Sequence, residues 1–302
     1  MKKYVLVLDI GTTNIKGILI DKKGTIKGEA REQPGYILEE RGQVEQDPDE
    51  IWEMSKHVLT KVLKSKRLKA GQISSLGITT QRASFLLWNK KTGKKLTNII
   101  TWQDKRCAEY AKKKNNLWWI RFIRSFARLF RGMITSPKLL IMSILNFDTV
   151  HATSRTGYLL MNNPELKKLA EKPGTPVCWG TIDSWIVWKL TGGTIHATDY
   201  SNASATGLFD PFSLGWNKIL KGVFHIPEQI LPEIRDTRGD FGSTALFGEG
   251  KIPIRAVIAD QQASLFGQCC FHHGEMKCTN GTGSFIDLNT GDTPFASKRR
   301  LY

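Results

Sequence analysis

In the stretch VIADQQASLFG, residues 257–267, a short apolar run ends on one acid, and two glutamines then open a helix. The pattern predicts a buried strand over residues 254–259 that leads directly into this helix. A carboxylate at such a corner can take a proton from a bound hydroxyl, which makes Asp260 a candidate general base. A single Asp at a turn is more often a helix cap, so both roles stay open on this stretch alone.

Two Gly-Thr turns flank this acid along the chain. YVLVLDIGTT covers residues 4–13 and NGTGSF covers residues 280–285, and each predicts a strand, a turn and a second strand. Glycine lets the backbone approach a phosphate closely, and threonine adds a hydroxyl beside the backbone N–H groups. A tight hairpin without a ligand has the same pattern. Two such turns around one acid nevertheless favour a phosphoryl-transfer site.

The composition is that of a folded protein in a reducing compartment. The chain has 302 residues, of which 40% are hydrophobic, so it is long enough for one large domain or two. Its five cysteines are odd in number and irregular in spacing, which argues against a disulfide framework or a zinc site. We expect a cytoplasmic protein without a signal peptide, and no apolar run is long enough for a membrane span.

Positive charge is concentrated in one part of the chain. The formal net charge is +16, and residues 54–168 hold 24 Lys and Arg against four acids. Such a block can attract polyanions, although a solvated lysine-rich surface explains it equally well. No zinc-finger spacing or aromatic RNA-binding signature accompanies the charge, so we expect no nucleic-acid partner.

Residues 117–147 combine aromatic residues with arginines. Arg121, Arg124, Arg128 and Arg131 are spaced as one stripe of a helix. A basic amphipathic helix of this kind can contact an anionic membrane peripherally through residues 117–131. It can also pack its apolar face on its own domain and leave the arginines in water.

The remaining pattern predicts alternating strands and helices. Three antiparallel strands are expected over residues 3–31, and Asp47 with Pro48 predicts a helix start that runs to about Ser65. A buried strand over residues 73–79 ends near Arg82, which either holds a hydroxyl or phosphate or lies on the surface. A hairpin joins residues 85–88 and 98–102. Helices are predicted from Trp102, over the stretch 180–192 with a stop at Gly192, and over residues 215–223. Trp102 is either a core residue or a pocket wall.

Eight motifs occur in a fixed order along the whole chain. They are DIGTT (9–13), GQVEQDPDEIW (42–52), GITTQR (77–82), IITW (99–102), GTIDSW (180–185), TDYSNAS (198–204), ADQQASLFGQ (259–268) and NGTGSF (280–285). With these motifs the chain resembles the FGGY carbohydrate kinases, and within them the glycerol kinases. The variant QRAS and the basic segment 117–147 are closer to the animal branch than to the bacterial enzymes.

The resemblance implies an α/β, actin-like (ribonuclease H-like) ATPase fold with ATP and substrate between two lobes. Residues 1–254 would form a complete N-terminal lobe, which carries the substrate and phosphate-loop sites. Residues 255–302 would begin a C-terminal nucleotide lobe that is incomplete in this chain. The implied reaction transfers phosphate from ATP, with Mg²⁺, to a small polyol or sugar hydroxyl, and glycerol to glycerol 3-phosphate is the first expectation.

The resemblance also implies individual roles. Asp260 would be the general base and would lie near the metal, and Asp9 would orient Mg²⁺ through water. The residues expected at the nucleotide phosphates are Asp9, Gly11, Thr12, Thr13, Asn14, Lys16, Gly281 and Thr282. Those expected at the polyol are Arg82, Trp102, Asp260, Gln261 and Phe285.

The sequence departs from the glycerol kinase pattern at several points. Ala83 stands where those enzymes carry a Glu that accepts hydrogen bonds from glycerol, and losing a charged acceptor costs about 1.5–3 kcal/mol. Lys16 replaces an Arg, and the tyrosine-bearing DPY segment has no clear counterpart. These departures keep an alternative open, a weak or inactive kinase-like binding protein that acts through the 117–147 surface. An actin-like ATPase without a small substrate is a third alternative, and assembly into a homo-oligomer stays open.

Overall fold

The computed structural model describes residues 3–38, 42–130, 136–280 and 284–292. Within these residues the strands are β1 (Tyr4–Ile10), β2 (Ile15–Asp21), β3 (Ile26–Glu32), β4 (Glu45–Gln46), β5 (Ile73–Thr80), β6 (Phe85–Asn89), β7 (Ile99–Ile100), β8 (Val177–Thr181), β9 (Ala197–Asp199), β10 (Phe209–Asp210), β11 (Gly215–Trp216), β12 (Glu233–Arg235), β13 (Ser243–Thr244), β14 (Ile252–Ala259), β15 (Met276–Asn280) and β16 (Ser284–Leu288). The helices are α1 (Pro48–Ser65), α2 (Ala108–Asn115), α3 (Trp118–Phe130), α4 (Pro137–Ile144), α5 (Ala152–Asn162), α6 (Pro164–Glu171), α7 (Ile182–Leu190), α8 (Tyr200–Ser204), α9 (Lys218–Phe224) and α10 (Asp260–Gly267), with 3₁₀ turns at Ala70–Gln72 and Glu228–Ile230.

The central sheet has the strand order β13–β14–β5–β1–β2–β3. β1, β2 and β3 are antiparallel, as predicted, whereas β1 and β14 both run parallel to β5. The register pairs Ile10 with Thr80 and Thr80 with Ala259. The carboxyl ends of three parallel strands therefore lie side by side at one edge, which is where ligands bind in open α/β sheets.

Helix α1 packs on this sheet and begins as predicted. The Asp47 carboxylate caps it by accepting a hydrogen bond of 2.8 Å from the Asp49 N–H, and Pro48 is its first residue. The helix lies very close to β2, because a Cβ on Gly17 would stand 2.9 Å from the Val58 carbonyl oxygen. Any larger residue at Gly17 would push the helix away from the sheet.

A second sheet, β4–β7–β6–β8, carries the other hydrophobic core. Phe85 and Trp179 from neighbouring strands stack there with ring centroids 5.7 Å apart. The predicted hairpin forms, since β6 and β7 pair antiparallel. The helix predicted in the stretch 180–192 is present as α7, but it starts only at Ile182, because Gly180 and Thr181 still belong to β8.

Two predicted helices were placed wrongly. Residues after Trp102 form turns, and α2 starts only at Ala108, because the Asp104 carboxylate accepts from the Val44 N–H and from Arg106 rather than capping a helix. The helix predicted over 215–223 starts at Lys218, since Gly215 and the next residue form β11 and pair with β10.

Residues after β14 form a small separate group of elements. Helix α10 follows β14 directly, and β15 pairs antiparallel with β16. The division of the chain between residues 254 and 255 stays a prediction, and β14 runs through that point without a break. In the described part of the chain, no helix has the length and apolar character to span a membrane.

Candidate functional site

The candidate site lies where β1, β5 and β14 end side by side. Asp9 is the penultimate residue of β1, Arg82 follows β5 by two positions, and Asp260 directly follows β14. These residues are far apart in the sequence, and the parallel register alone brings them to one edge. The two acids and the arginine are therefore positioned by main-chain pairing before any ligand is present.

Asp260 is the first residue of α10 and is shielded from most of the solvent. Arg82 Nε lies 3.7 Å from Asp260 Oδ1, and the Gln261 N–H donates to the same oxygen at 2.8 Å. Burial raises the pKa of Asp260, and the positive charge of Arg82 counteracts part of that rise. A carboxylate with a raised pKa is a stronger base than an ordinary aspartate, which suits proton removal from a hydroxyl.

Asp9 belongs to the same electrostatic environment. Burial raises its pKa, Lys16 lowers it from a distance of 3.9 Å between Nζ and Oδ2, and the charge of Asp260 raises it further. Two partly buried carboxylates that repel each other are suited to a divalent cation with hard oxygen ligands. Among the described residues no group of three or more His, Cys, Asp or Glu could hold a metal ion. Asp9 and Asp260 would therefore supply at most two of the oxygen ligands of a Mg²⁺ ion, which usually keeps several waters.

The residues expected at the polyol contact one another. The Arg82 guanidinium lies 5.8 Å from the centre of the Phe285 ring, and Trp102 meets Phe285 edge-on with centroids 6.1 Å apart. Gln261 follows Asp260 and its side-chain oxygen accepts from Lys277 Nζ. Aromatic faces beside charged and amide groups are the usual lining of a sugar site, where rings pack on C–H groups and polar atoms hold hydroxyls.

The first Gly-Thr turn is tied to this lining. Trp102 Nε1 donates to Thr12 Oγ1 at 3.1 Å, so the turn and the aromatic wall form one unit. The Thr12 carbonyl accepts from Tyr36 and from Gln46, while Asn14 Nδ2 donates to Thr13 Oγ1. The Gly11 N–H donates to the Asn14 carbonyl, which closes the turn.

Of the second Gly-Thr segment, the structure describes the residues up to Asn280 and from Ser284 onward. Gly281 and Thr282 lie outside the described residues, so their expected role at the phosphates stays a prediction. The strands on either side are paired as predicted, and Asn280 lies opposite Ser284. The antiparallel pairing of β15 with β16 thus agrees with the two strands that the sequence predicts around this turn.

Lys277 is a site residue that the sequence pattern does not reveal. Its ammonium group is buried, lies 3.0 Å from Asp287 Oδ2 and donates to Gln261 Oε1 at 2.5 Å. Arg82 Nη1 lies 3.9 Å from the other oxygen of Asp287. Asp287 thus joins Arg82 and Lys277, and both cations also contact the start of α10. A lysine in a short strand ordinarily indicates a solvent-facing position, so no sequence signal pointed to it.

Arg155 is the second unexpected residue, and it supports the site from behind. It is only 1% exposed, and its guanidinium donates to the carbonyls of Ala83 at 2.7 Å, Val150 at 2.9 Å and Ile100 at 3.0 Å, and also to that of Thr101. Ala83 follows Arg82, and Thr101 precedes Trp102. One buried cation therefore fixes the two segments that carry these site residues. Burial lowers its pKa to about 10, so it stays charged at neutral pH.

Ala83 has an unusual backbone conformation. Its φ of +59° lies in the left-handed region, and the residue is 3% exposed. Most side chains avoid this region, and a single residue there costs about 1–2 kcal/mol. The hydrogen bond from Arg155 to the Ala83 carbonyl helps to hold this turn next to Arg82.

Known proteins with similar sequences are carbohydrate kinases. Residues 4–267 match the sequence model of the N-terminal domain of the FGGY family of carbohydrate kinases. The chain is 41% identical over 291 residues to glycerol kinase 5 of Mus musculus, covering 96% of this chain and 54% of the mouse protein. It is 37% identical over 306 residues to a glycerol kinase of Francisella philomiragia, covering 99% of this chain and 57% of that protein. The chain thus spans about half the length of these relatives, and the predicted resemblance to the animal branch is confirmed.

Solved structures confirm the predicted fold. Plasmodium falciparum glycerol kinase with ADP superposes with a TM-score of 0.80 at 28% identity, over 95% of this chain and 54% of the other. A gluconate kinase of Lactobacillus acidophilus superposes with a TM-score of 0.77 at 22% identity, and that likeness concerns the fold alone. The α/β, actin-like architecture expected from the sequence is therefore correct.

Proposed function

Because the chain belongs to the FGGY family of carbohydrate kinases, we propose that it carries the substrate half of a kinase that phosphorylates a small polyol, glycerol first. The observation that carries this proposal is the edge formed by β1, β5 and β14, where Asp260, Arg82 and Asp9 meet. The nucleotide is ATP, as expected for a family whose glycerol kinase structure contains ADP. The reaction is placed in the cytoplasm, as the sequence predicts.

In the proposed reaction, Asp260 removes the proton of a substrate hydroxyl. The hydroxyl oxygen forms a bond to the γ-phosphorus of ATP, the bond from that phosphorus to the β,γ-bridging oxygen breaks, and ADP leaves. Burial of the Asp260 carboxylate supports this role, since it raises the proton affinity of the group. Mg²⁺ would neutralise phosphate charge in such a transfer, and Asp9 and Asp260 are the residues that would hold it.

Positioning of the polyol is assigned to the surrounding side chains. We propose that Arg82 and Gln261 bind hydroxyls while Trp102 and Phe285 pack on the carbon chain. The side-chain oxygens of Gln103 and Gln262 are buried and accept no hydrogen bond from the described residues. A polyol offers hydroxyl donors, so these two acceptors are candidates to replace the acidic acceptor that Ala83 lacks.

The test is ATP-to-ADP conversion over a panel of polyols and sugars led by glycerol. Both this chain and a longer form that spans the full length of the relatives are assayed. Asp260→Asn keeps the shape of the side chain and removes its basicity, so turnover falls by at least about 100-fold. Asp240→Asn is the control, because the Asp240 carboxylate is exposed and its contacts are with Arg255 and the Gly242 N–H, none of which belongs to the candidate site.

Two outcomes would contradict the proposal. Retained turnover in Asp260→Asn removes Asp260 as the base. No turnover by either form on any substrate favours the alternative of a kinase-like binding protein, and ATP hydrolysis that is indifferent to every polyol favours an ATPase without a small substrate.

A further inference from the structure

Four large apolar side chains lie exposed in one stripe along α3. They are Trp118, Phe122, Phe126 and Leu129, and they leave 78%, 64%, 50% and 73% of their surface accessible. Their spacing places them on one side of the helix. The Phe122 and Phe126 rings stack with centroids 6.2 Å apart, so the stripe is continuous. Monomeric proteins rarely leave such a surface in water unless it binds something.

The rest of α3 is anchored, so the stripe is not a helix face that simply lacks its place in the core. Ile120 and Ala127 are each 1% exposed and form the inner face of the helix. Arg124 donates to the Asn115 carbonyl at 2.6 Å, and Arg128 donates to the Ser143 carbonyl at 3.1 Å. These contacts fix the rotation of α3 and direct the apolar stripe outward.

The charge around the stripe has one sign. Residues 110–147 contain eight Lys and Arg and no Asp or Glu. Arg121 and Arg128 lie exposed on α3, beside the apolar stripe, and Lys138 is exposed at the start of α4. The acceptor of Arg128 named above is a neutral carbonyl, so that hydrogen bond does not neutralise the positive charge of its guanidinium.

We propose that the stripe and its basic rim form a docking surface for an anionic phospholipid bilayer. Aromatic rings enter the headgroup region, and neighbouring Arg and Lys contact lipid phosphates, which is how interfacial helices bind. With 13 residues, α3 is about 20 Å long, shorter than the hydrocarbon core of roughly 30 Å, so it lies on the bilayer and does not cross it.

Charge and shape argue against other occupants. A second copy of the chain would bring two surfaces of the same sign together around a two-fold axis, which is unfavourable. A nucleic acid would use the arginines, but it gains little from the aliphatic side chains of Leu129 and Met142, which is 44% exposed on α4. This inference does not rest on the proposed kinase activity, because none of its residues belongs to the site around Asp260.

The experiment uses the 302-residue chain in flotation assays with vesicles of phosphatidylcholine alone or mixed with phosphatidylserine. We expect binding to the anionic vesicles only, and its loss at high salt. Arg121→Glu with Arg128→Glu reverses two charges near the lipid and lowers binding by roughly 30-fold or more. Lys22→Glu with Lys23→Glu is the matched control, since both lysines are exposed on the turn after β2.

The apolar contribution is tested separately. Phe122→Ser with Leu129→Ser weakens binding, whereas Ile219→Ser, which changes an exposed apolar residue on α9, does not. Lipids with brominated acyl chains quench part of the tryptophan fluorescence, and Trp118→Phe removes that quenching while binding persists. Circular dichroism of each variant confirms that the fold is retained.

Three outcomes overturn the proposal. The first is that the chain does not bind anionic vesicles, and the second is that the two glutamate substitutions leave binding unchanged. The third is that the two serine substitutions leave binding unchanged while single-stranded RNA competes with the vesicles. The last result would identify the segment as a polyanion site without membrane insertion.

Discussion

Asp183 is a buried acid whose ionisation opposes folding. Its side chain is fully buried, Thr198 Oγ1 donates to its Oδ2 at 2.7 Å, and its Oδ1 has no hydrogen-bond partner among the described residues. Burial, together with the nearby charge of Asp199, raises its pKa from 3.8 to about 7. A shift of this size corresponds to about 4 kcal/mol of unfavourable interaction with the charged form.

The sign of the pH dependence follows from which state holds the proton more tightly. The folded protein binds the Asp183 proton more tightly than the unfolded chain does, so the unfolded chain ionises first as the pH rises. The free energy of unfolding therefore falls between about pH 4 and pH 7 and levels off once the folded carboxyl ionises. Asp183→Asn removes this dependence, because an amide stays neutral and can still accept from Thr198.

We expect the stability of Asp183→Asn relative to wild type to increase by about 2 kcal/mol between pH 5 and pH 7. Urea unfolding at several pH values measures this difference, and the comparison with wild type cancels groups common to both proteins. Asp21→Asn is the control, since the lowered pKa of Asp21 places its titration below this range. A difference that is the same at pH 5 and pH 7 would show that Asp183 is ionised in both states and would refute the reasoning.

Two further predictions concern buried contacts of helix α5. Arg155→Met leaves four carbonyls without their shared donor and lowers the free energy of unfolding by roughly 3 kcal/mol or more. Arg155→Lys keeps the positive charge and lowers the free energy of unfolding by less. Urea unfolding measures both changes, and a decrease under about 1 kcal/mol in the Met variant would contradict this prediction. Gly157→Ala places a methyl group 2.7 Å from the Tyr110 hydroxyl and 2.9 Å from Phe224, which costs about 1–3 kcal/mol. Gly222→Ala on α9 is its control, because nothing lies within 4 Å of the added carbon, and equal effects of the two changes would disprove the packing argument.

Local signals in the sequence predicted the elements whose form depends on nearby residues. The turn before Gly24 and the alternation of β1 and β2 define the antiparallel hairpins, and Asp47 with Pro48 defines the start of α1. These features are local because each hydrogen bond joins residues close in the chain. The strand before Asp260 was predicted for the same reason, since a short apolar run bounded by polar residues has few other structures.

Long-range contacts explain what the sequence did not predict. Asp104 looked like part of a helix start, but its carboxylate binds the Val44 N–H, 60 residues earlier, and the chain there forms turns. The sequence pattern did not single out Lys277, yet it is buried against Asp287 and Gln261. The candidate site residues were predicted from the family motifs. Arg155, Lys277 and Asp287, which hold those residues in place, lie outside the motifs.

The contacts of Arg155 have a consequence for how this protein can vary. Every acceptor of its guanidinium named above is a main-chain carbonyl, and each such carbonyl is present whatever side chain the residue carries. A change of side chain at positions 100, 101 or 150 therefore removes no acceptor of the arginine. Arg155 itself does not tolerate exchange in this way, because no other amino acid supplies so many donors in one plane. The segments that lead to Arg82 and Trp102 can thus change side chains while the support that holds their main chain stays the same.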